Sequence, residues 1–498
     1  MYSRRQDRKI LPGPARTAAS KLLAGATLVL LSAGASAGEL ALLKEKILQL
    51  EQRVFELDVA RSTPKPRETG AVVLSRGQGS LAEWHVGNGS DEHFPKDSGF
   101  TFTVLPTAGQ QSPALEVAAQ GYVKADFFSD FDQTNLGTTF THGVGNDARY
   151  QQDRGFSTTA GQTRLRLRAS RKTPVGRARM VIESDFFSSC SGDKCYRLRH
   201  AWGAWDITPE WTIGLGQFWR VGYDQISGIR MIDFGGAAGE PENSRVAQIR
   251  LNYVSGAVNL AFGLQAPNTS TSINTNAAGI GAGTDGDFGN TPYKDTPNLP
   301  RLGGHLVYEI SPVRRIFIGG EIQQHNMDMN ASGEEGPIPL SSDSTIGWIA
   351  SIGTKFALND WVTLTGRVVY SDGMNALIAS AGASTTVNDT GTGIRRNTGW
   401  GGFAGVGIAL SDRVAFNTQW GFADPSDKAM RGNGISWSHI HTLHSNILWR
   451  PVTAMRLGYE FMWSQKTNGK NFLASSSGAG RKRNERALRG QFGAWFFF

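Results

Sequence analysis

Residues 162–171 read Gln162-Thr163-Arg164-Leu165-Arg166-Leu167-Arg168-Ala169-Ser170-Arg171. With the period-two alternation of a strand, Arg164, Arg166 and Arg168 share one face, while Thr163, Leu165, Leu167 and Ala169 share the other. A soluble core does not take three guanidinium groups in a row, because a buried charge needs a partner or water. A solvent-facing edge strand could carry them, but the rest of the chain would then have no reason to repeat the pattern. It repeats to the last residue. A sheet that is wet and charged inside and oily outside is a transmembrane barrel, and the arginines then line its bore.

From Glu116 onward about sixteen alternating runs follow one another, among them residues 120–128, 177–186, 196–205, 211–218, 245–253, 301–309, 406–410, 455–463 and 485–498. Tight links such as Thr173-Pro174-Val175, Ser255-Gly256, Ser311-Pro312 and Ser411-Asp412 interleave with long Gly/Ser/Asn-rich loops at 133–160, 266–299, 371–398 and 464–482. Short turns against long loops mark an antiparallel membrane barrel, whereas a soluble sandwich has turns of more even length. Tryptophans gather where runs end (Trp202, Trp205, Trp211, Trp348, Trp361, Trp420, Trp449, Trp463), as expected of indoles at headgroup depth. Leu488, Phe492, Phe496 and Phe498 are in phase on the last run, and a terminal aromatic there resembles the signal read by the barrel-assembly machinery.

Composition narrows the class. The chain has 498 residues, 39% of them hydrophobic, with 61 glycines. No segment beyond the leader reaches the roughly 18 apolar residues a membrane helix needs. Residues 1–37 read as a Sec signal: a basic start, an apolar run at 22–31, and Ala35-Ser36-Ala37 as the cleavage site. Arg4-Arg5 lacks the following pattern of a twin-arginine leader. The leader holds six of the positive charges and one negative, so the formal +8 falls to +3 without it, and nothing argues for a nucleic-acid partner. Cys190 and Cys195 are the only cysteines, in a Gly/Ser loop of an exported chain, and predict a disulfide rather than a metal site.

Residues 38–61 predict a periplasmic coiled-coil helix. Leu40, Ile47 and Val54 fall at position a and Leu43, Leu50 and Leu57 at d. Glu39 with Lys44, Lys46 with Glu51 and Arg53 with Asp58 form opposite-charge g–e′ pairs, which points to a parallel homo-oligomer. β-branched residues at a lean toward two strands, but barrels of this size come in threes, and a homotrimer is the expectation. Pro64-Lys65-Pro66 ends the helix. Residues 62–114 read as a linker or small plug, and residues 115–498 as the outer-membrane barrel.

By phase, the inner face collects Arg164, Arg166, Arg168, Arg177, Arg179, Arg197, Arg199, Arg245 and Arg250. Nearly all fall on neighbouring strands and should form one basic wall. A planar guanidinium takes carboxylate oxygens two at a time and stays charged. Several in a narrow channel raise the local anion concentration without one deep trap. The competing reading is that Asp126, Glu183 and Asp185 pair with them to brace the wall, but the arginines outnumber these acids. Residues 219–244 could fold inward, making Arg220 and Arg230 constriction groups with Asp233 setting the local field; a plain surface loop is the alternative. His439, His441 and His444 have no carboxylate at ligand spacing, and His444-Ser445-Asn446 lie on alternate faces and cannot form a relay. No metal, cofactor or catalytic site is expected.

These residues resemble the DcaP-like trimeric porins of proteobacterial outer membranes. The likeness rests on the heptads after the signal, Gly121-Tyr122-Val123-Lys124-Ala125-Asp126, Arg164-Leu165-Arg166-Leu167, Ile182-Glu183-Ser184-Asp185-Phe186-Phe187, Tyr196-Arg197-Leu198-Arg199-His200-Ala201 and Gly216-Gln217-Phe218-Trp219. It covers the helical arm and first half of the barrel by motif, and the second half by topology only. The resemblance implies sixteen strands, three pores, a periplasmic coiled coil, and uptake of small anionic solutes such as dicarboxylates or aromatic diacids. The 62–114 insert is longer than the family pattern. The expectation is therefore an anion-preferring outer-membrane porin embedded in lipid, with no enzymatic activity; the alternative is a structural tether or adhesin using the coiled coil and outer loops.

Overall fold

Each alternating run hydrogen-bonds to the next, and the last returns to the first. In this computed structural model the described residues are 71–83, 94–95, 97–106, 115–132, 138–140, 154–190, 193–222, 228–241, 244–267, 273–274, 293–295, 297–329, 342–387, 393–425, 437–469 and 483–498. The signal at 1–37 and the heptads at 38–61 lie outside them. The first eight barrel strands are β1 (Leu115–Asp132), β2 (Arg164–Thr173), β3 (Gly176–Cys190), β4 (Asp193–Asp206), β5 (Trp211–Trp219), β6 (Arg245–Ser255), β7 (Val258–Gln265) and β8 (Arg301–Ser311). The remainder are β9 (Arg314–Met329), β10 (Ser342–Ala357), β11 (Val362–Asp372), β12 (Thr398–Ala409), β13 (Val414–Pro425), β14 (Trp437–Val452), β15 (Met455–Asn468) and β16 (Asn484–Phe497). All neighbours are antiparallel, and β16 closes on β1 with Phe492 opposite Phe127 and Phe497 opposite Tyr122. Closure removes every free edge, which a barrel in hydrocarbon requires.

Side-chain alternation follows the charge pattern. Arg164, Arg166 and Arg168 are 4%, 4% and 2% exposed, whereas Leu165 and Leu167 between them are 41% and 38% exposed. Leu215, Phe262, Ile318, Ile352, Val368 and Phe461 extend this exposed apolar surface around the barrel. Water does not tolerate an apolar belt of that breadth on a monomer; lipid does. Exposed Trp205, Trp211, Trp361 and Trp449 flank the short turns, and Trp348, Trp400 and Trp420 stand toward the other end. Trp202 departs from its expected place. It faces inward, 4% exposed, and packs on Phe218 at 5.5 Å between ring centres.

Two local findings go beyond the pattern. β12 starts at Thr398, eight residues before the expected run, because Gly399, Gly401 and Gly402 hide the alternation there. In the 62–114 insert, Val72–Arg76 pairs with Phe100–Val104, and the latter adds to β1 with Phe100 opposite Ala119. One edge of β1 thus serves this hairpin and then β16, where the Phe498 amide donates to the Gly121 carbonyl at 3.1 Å. A 3-10 turn, Gly79–Glu83, follows Val72–Arg76 and sets Leu81 against Ala118, Val181, Trp202 and Phe218 of the inner wall.

Candidate functional site

The segment between β5 and β6 runs through the bore, held by inward-pointing side chains of distant strands. Val221 O contacts His305 Nδ1 of β8 at 2.5 Å, and the Gly222 amide donates to Glu321 of β9 at 2.8 Å. Farther along, the Ile232 amide donates to Glu460 of β15 at 2.5 Å, and Lys124 of β1 donates to the Ile232 carbonyl at 2.8 Å. Asn446 and Thr442 of β14 engage the Arg230 carbonyl at 3.0 Å and the Ala238 amide at 2.9 Å. Polar strand positions facing a water-filled bore are free to satisfy such a backbone, which lipid could not do.

A second segment, residues 373–384 after β11, meets the tip of the first. The Gly239 amide donates to Ala379 O at 2.9 Å, and the Ala379 amide donates to Glu240 O at 2.8 Å. The tip sits on the glycines of β12 and β13. A Cβ at Gly239, whose φ is +75°, would lie 1.8 Å from Phe422 O; one at Gly401 would lie 2.8 Å from Gly239 Cα, and one at Gly421 2.3 Å from Ala238 O. The glycine run that obscured β12 in the sequence is the seat of the infolded segment.

Between this segment and the β1–β2–β4 wall remains a narrow chamber of about 110 Å³. Among the described residues its charged lining is Lys124, Arg164, Arg199, Arg230 and Arg456, with Asp233 as the one carboxylate, and Lys124 pairs with Asp126 at 3.1 Å. It shares Arg230, Leu448 and Arg456 with a wider cavity of about 600 Å³ at the short-turn mouth. Asp233 accepts the amides of Phe140 at 3.0 Å and Gly235 at 2.8 Å. Burial pushes its carboxyl pKa above the usual range.

Behind the chamber, two carboxylates serve four guanidiniums. Glu183 contacts Arg166 at 2.5 Å, Arg199 at 2.7 Å and Arg164 at 3.6 Å. Asp185 contacts Arg197 at 2.7 Å and Arg199 at 2.9 Å. The wall is thus braced by acids, and the guanidiniums that Glu183 and Asp185 contact outnumber them.

The nine arginines part company in three dimensions. Arg164 and Arg199 line the chamber, and Arg197 stands beside them on Asp185. Arg166 lies under Phe94, 4.3 Å from the ring centre, and Arg168 donates to Gln78, so residues of the insert cover both. Arg179 pairs with Asp206 near the short-turn rim, where Arg177 is exposed. Arg245 lies 4.8 Å from the Trp219 ring, and Arg250 donates to Asn252 at 2.8 Å, away from the chamber. Of the expected constriction groups, Arg230 and Asp233 reach the chamber. Arg220 does not: it spans to Glu321 at 3.3 Å and the Leu377 carbonyl at 3.2 Å, an anchor between the two infolded segments and the wall. Cys195 is disulfide-bonded, and Cys190 is the other cysteine of the chain. Lys124 and Arg456 were missed, although each shares the inward phase of an acid on its own strand, Asp126 and Glu460.

Fold and site together define a transmembrane barrel of the porin type: sixteen antiparallel strands, an apolar exterior, and a polar bore narrowed by infolded chain. No protein-family model and no characterised protein sequence matches the chain. Among solved structures it is similar to the outer membrane channel DcaP of Acinetobacter baumannii, at 17% identity and a TM-score of 0.61 over 77% of this chain and 98% of that one. It also matches an anion-selective porin from Comamonas acidovorans (14% identity, TM-score 0.47, 77% and 100% of the two chains). Salmonella typhi OmpF in complex with daunomycin follows (11% identity, TM-score 0.48, 77% and 98%). At such identities the DcaP likeness establishes a common fold.

Proposed function

We propose that this chain is a passive outer-membrane porin of a Gram-negative cell that prefers small anionic solutes, dicarboxylates and aromatic diacids among them. One observation carries the reading: among the described residues, the lining of the narrow chamber has five cationic side chains and one carboxylate. In a low-dielectric-walled passage such an imbalance concentrates anions and repels cations. Guanidiniums and an ammonium contributed by different elements offer a solute successive partners to replace its water. Arg166 and Arg168, tied down by Phe94 and Gln78, brace the wall in this scheme. The heptads of residues 38–61 would hold three barrels together from the periplasm, residues 62–114 would act as a linker or small plug, and Phe498 would present the assembly signal.

Planar-bilayer recording in a salt gradient tests the proposal. The expected result is stable conductance with a reversal potential on the anion side, moving toward zero in an Arg164→Gln/Arg199→Gln double variant. Cation selectivity in the unaltered protein would overturn the anion reading. Correctly inserted but electrically silent protein would instead favour the structural tether.

A further inference from the structure

On the outward face of β13–β16, near the long-loop end, a polar row crosses the wall. Register places Arg486 of β16 beside Gln465 of β15, Gln465 beside His441 of β14, and His441 beside Phe422 of β13. Phase turns the row away from the bore, because the adjoining positions Ala487, Ser464 and Thr442 are fully buried. The next outward row toward the middle of the wall is Leu488, Trp463, Leu443 and Trp420. Indoles sit at headgroup depth, so the Arg486 row lies where headgroups begin. An arginine directed at lipid is tolerated there and not at mid-bilayer. Arg486 is exposed, and its guanidinium has no protein acceptor among the described residues. His441 stacks on Trp420 with ring centres 5.7 Å apart, and its Nδ1 has no hydrogen-bond partner among the described residues. Asp424 stands on the same face one row nearer the rim, where His439 Nδ1 lies 3.5 Å away and the Trp400 indole donates at 3.3 Å.

We infer that Arg486, Gln465 and His441 dock the headgroup phosphate of an outer-leaflet lipid, a phosphorylated glycolipid of the lipid A class, whose acyl chains lie on the Leu488–Trp420 row. The inference rests on the outer-membrane reading of the barrel and goes beyond it, from the solute inside to the lipid outside. Neighbouring strands lie about 4.8 Å apart, so Arg486 and His441, two strands apart, bracket a gap of about 10 Å. One phosphate with a donor on each side fills such a gap, and the Gln465 amide reaches it from the strand between. The guanidinium supplies paired donors, and an imidazole supplies an N–H in either protonation state. Rows on one face of a strand are about 7 Å apart. Phosphate donors and an apolar row at that separation match an amphiphile, in which both features belong to one molecule. A free anion would use only the first, and basic side chains at a membrane surface favour anionic headgroups.

The test uses the full-length protein folded in detergent and titrated with lipid A and, separately, with dephosphorylated lipid A, with bound lipid and subunit number read by native mass spectrometry. Lipid A should bind with a Kd about tenfold lower than its dephosphorylated form, the difference one charge-assisted contact makes. Arg486→Gln should erase that difference, and His441→Phe, which keeps a ring on Trp420, should reduce it. Arg171→Gln, the same charge change on an exposed residue at the short-turn end, should leave it intact. Equal binding of the two lipids, or a difference unchanged in both the Arg486 and His441 variants, would overturn the site. Loss of oligomer in Arg486→Gln with the lipid difference intact would overturn it too, and would assign the row to contact between copies. The reversal potential in planar bilayers depends on the bore and not on this outward row, so it reports the anion-porin reading separately.

Discussion

Arg166 Nη2 stands 2.5 Å from Glu183 Oε2, with both side chains buried on the inner wall. The same carboxylate receives Arg199 Nε at 2.7 Å and faces Arg164 Nε at 3.6 Å. One acid thus ties three strands' worth of inward positions together, because β2, β3 and β4 place these residues side by side across the register. Glu183→Gln would keep the shape and remove the charge, leaving three neighbouring guanidiniums with Asp185 as the nearest acid. Breaking a buried pair in this way costs about 3–5 kcal/mol. The expected outcome is a folded barrel that converts to its unfolded gel mobility at a clearly lower temperature than the unaltered protein. An unchanged conversion temperature would mean that water in the bore, and not Glu183, compensates these charges.

On the anion-porin reading, Asp233 should make selectivity depend on pH. Burial raises its pKa, so on acidification it takes up a proton before exposed carboxyls do, and the charged residues of the described chamber lining are then cations. Anion preference should therefore rise as pH falls from neutral through the raised pKa. Asp233→Asn keeps an acceptor oxygen for the Phe140 or Gly235 amide and should show the higher preference already at neutral pH, with a flat profile. The stability sign is the opposite of a salt-bridged carboxylate. The folded chain binds this proton more tightly than the unfolded one, so Asp233 costs stability above its folded pKa, and that cost vanishes below the free-carboxyl value. Parallel pH profiles for the two proteins would rule Asp233 out as the titrating group.

Gly239 sets the position of the infolded tip. Its positive φ alone makes a β-branched replacement unfavourable by about 1–3 kcal/mol, and the new Cβ would also meet the Phe422 carbonyl and the Gly402 amide. Gly239→Val should unseat the tip from β12 and β13 and widen the passage. Single-channel conductance is expected to rise and to become noisier, while the barrel still inserts and migrates as folded. Conductance equal to that of the unaltered protein would show that the tip does not limit flow.

How much of this was legible beforehand differs by residue. The barrel class was readable at Arg164-Leu165-Arg166-Leu167-Arg168, because alternation reports the chemistry of the two faces and a charged run opposite an oily one has few stable settings. Strand positions followed wherever side chains alternate, and failed at Gly399–Gly402, where they are too small to do so. Trp202 was assigned to the girdle, and counted from the inward Arg197 and Arg199 it would face out; a register shift at Arg199 and His200, both buried, turns it inside. For residues 219–244 an inward turn was one of two open readings, since nothing local distinguishes a loop that turns inward from one that turns out; residues 220–222 and 228–241 lie inside.

What the sequence determined by itself was the division of the wall into a wet face and a lipid face, since that depends only on each residue and its neighbours two positions away. Which arginines meet the chamber was decided by the tertiary structure alone. Arg164, Arg166 and Arg168 are equivalent in the chain, yet Arg164 opens on the chamber, Arg166 lies under Phe94 and Arg168 is held by Gln78. Arg456 lies 292 positions from Arg164 and reaches the same chamber because sixteen strands close on themselves. Contacts between residues so distant in the chain are made by strand register and by where the infolded segment comes to rest, and neither is written in any single stretch.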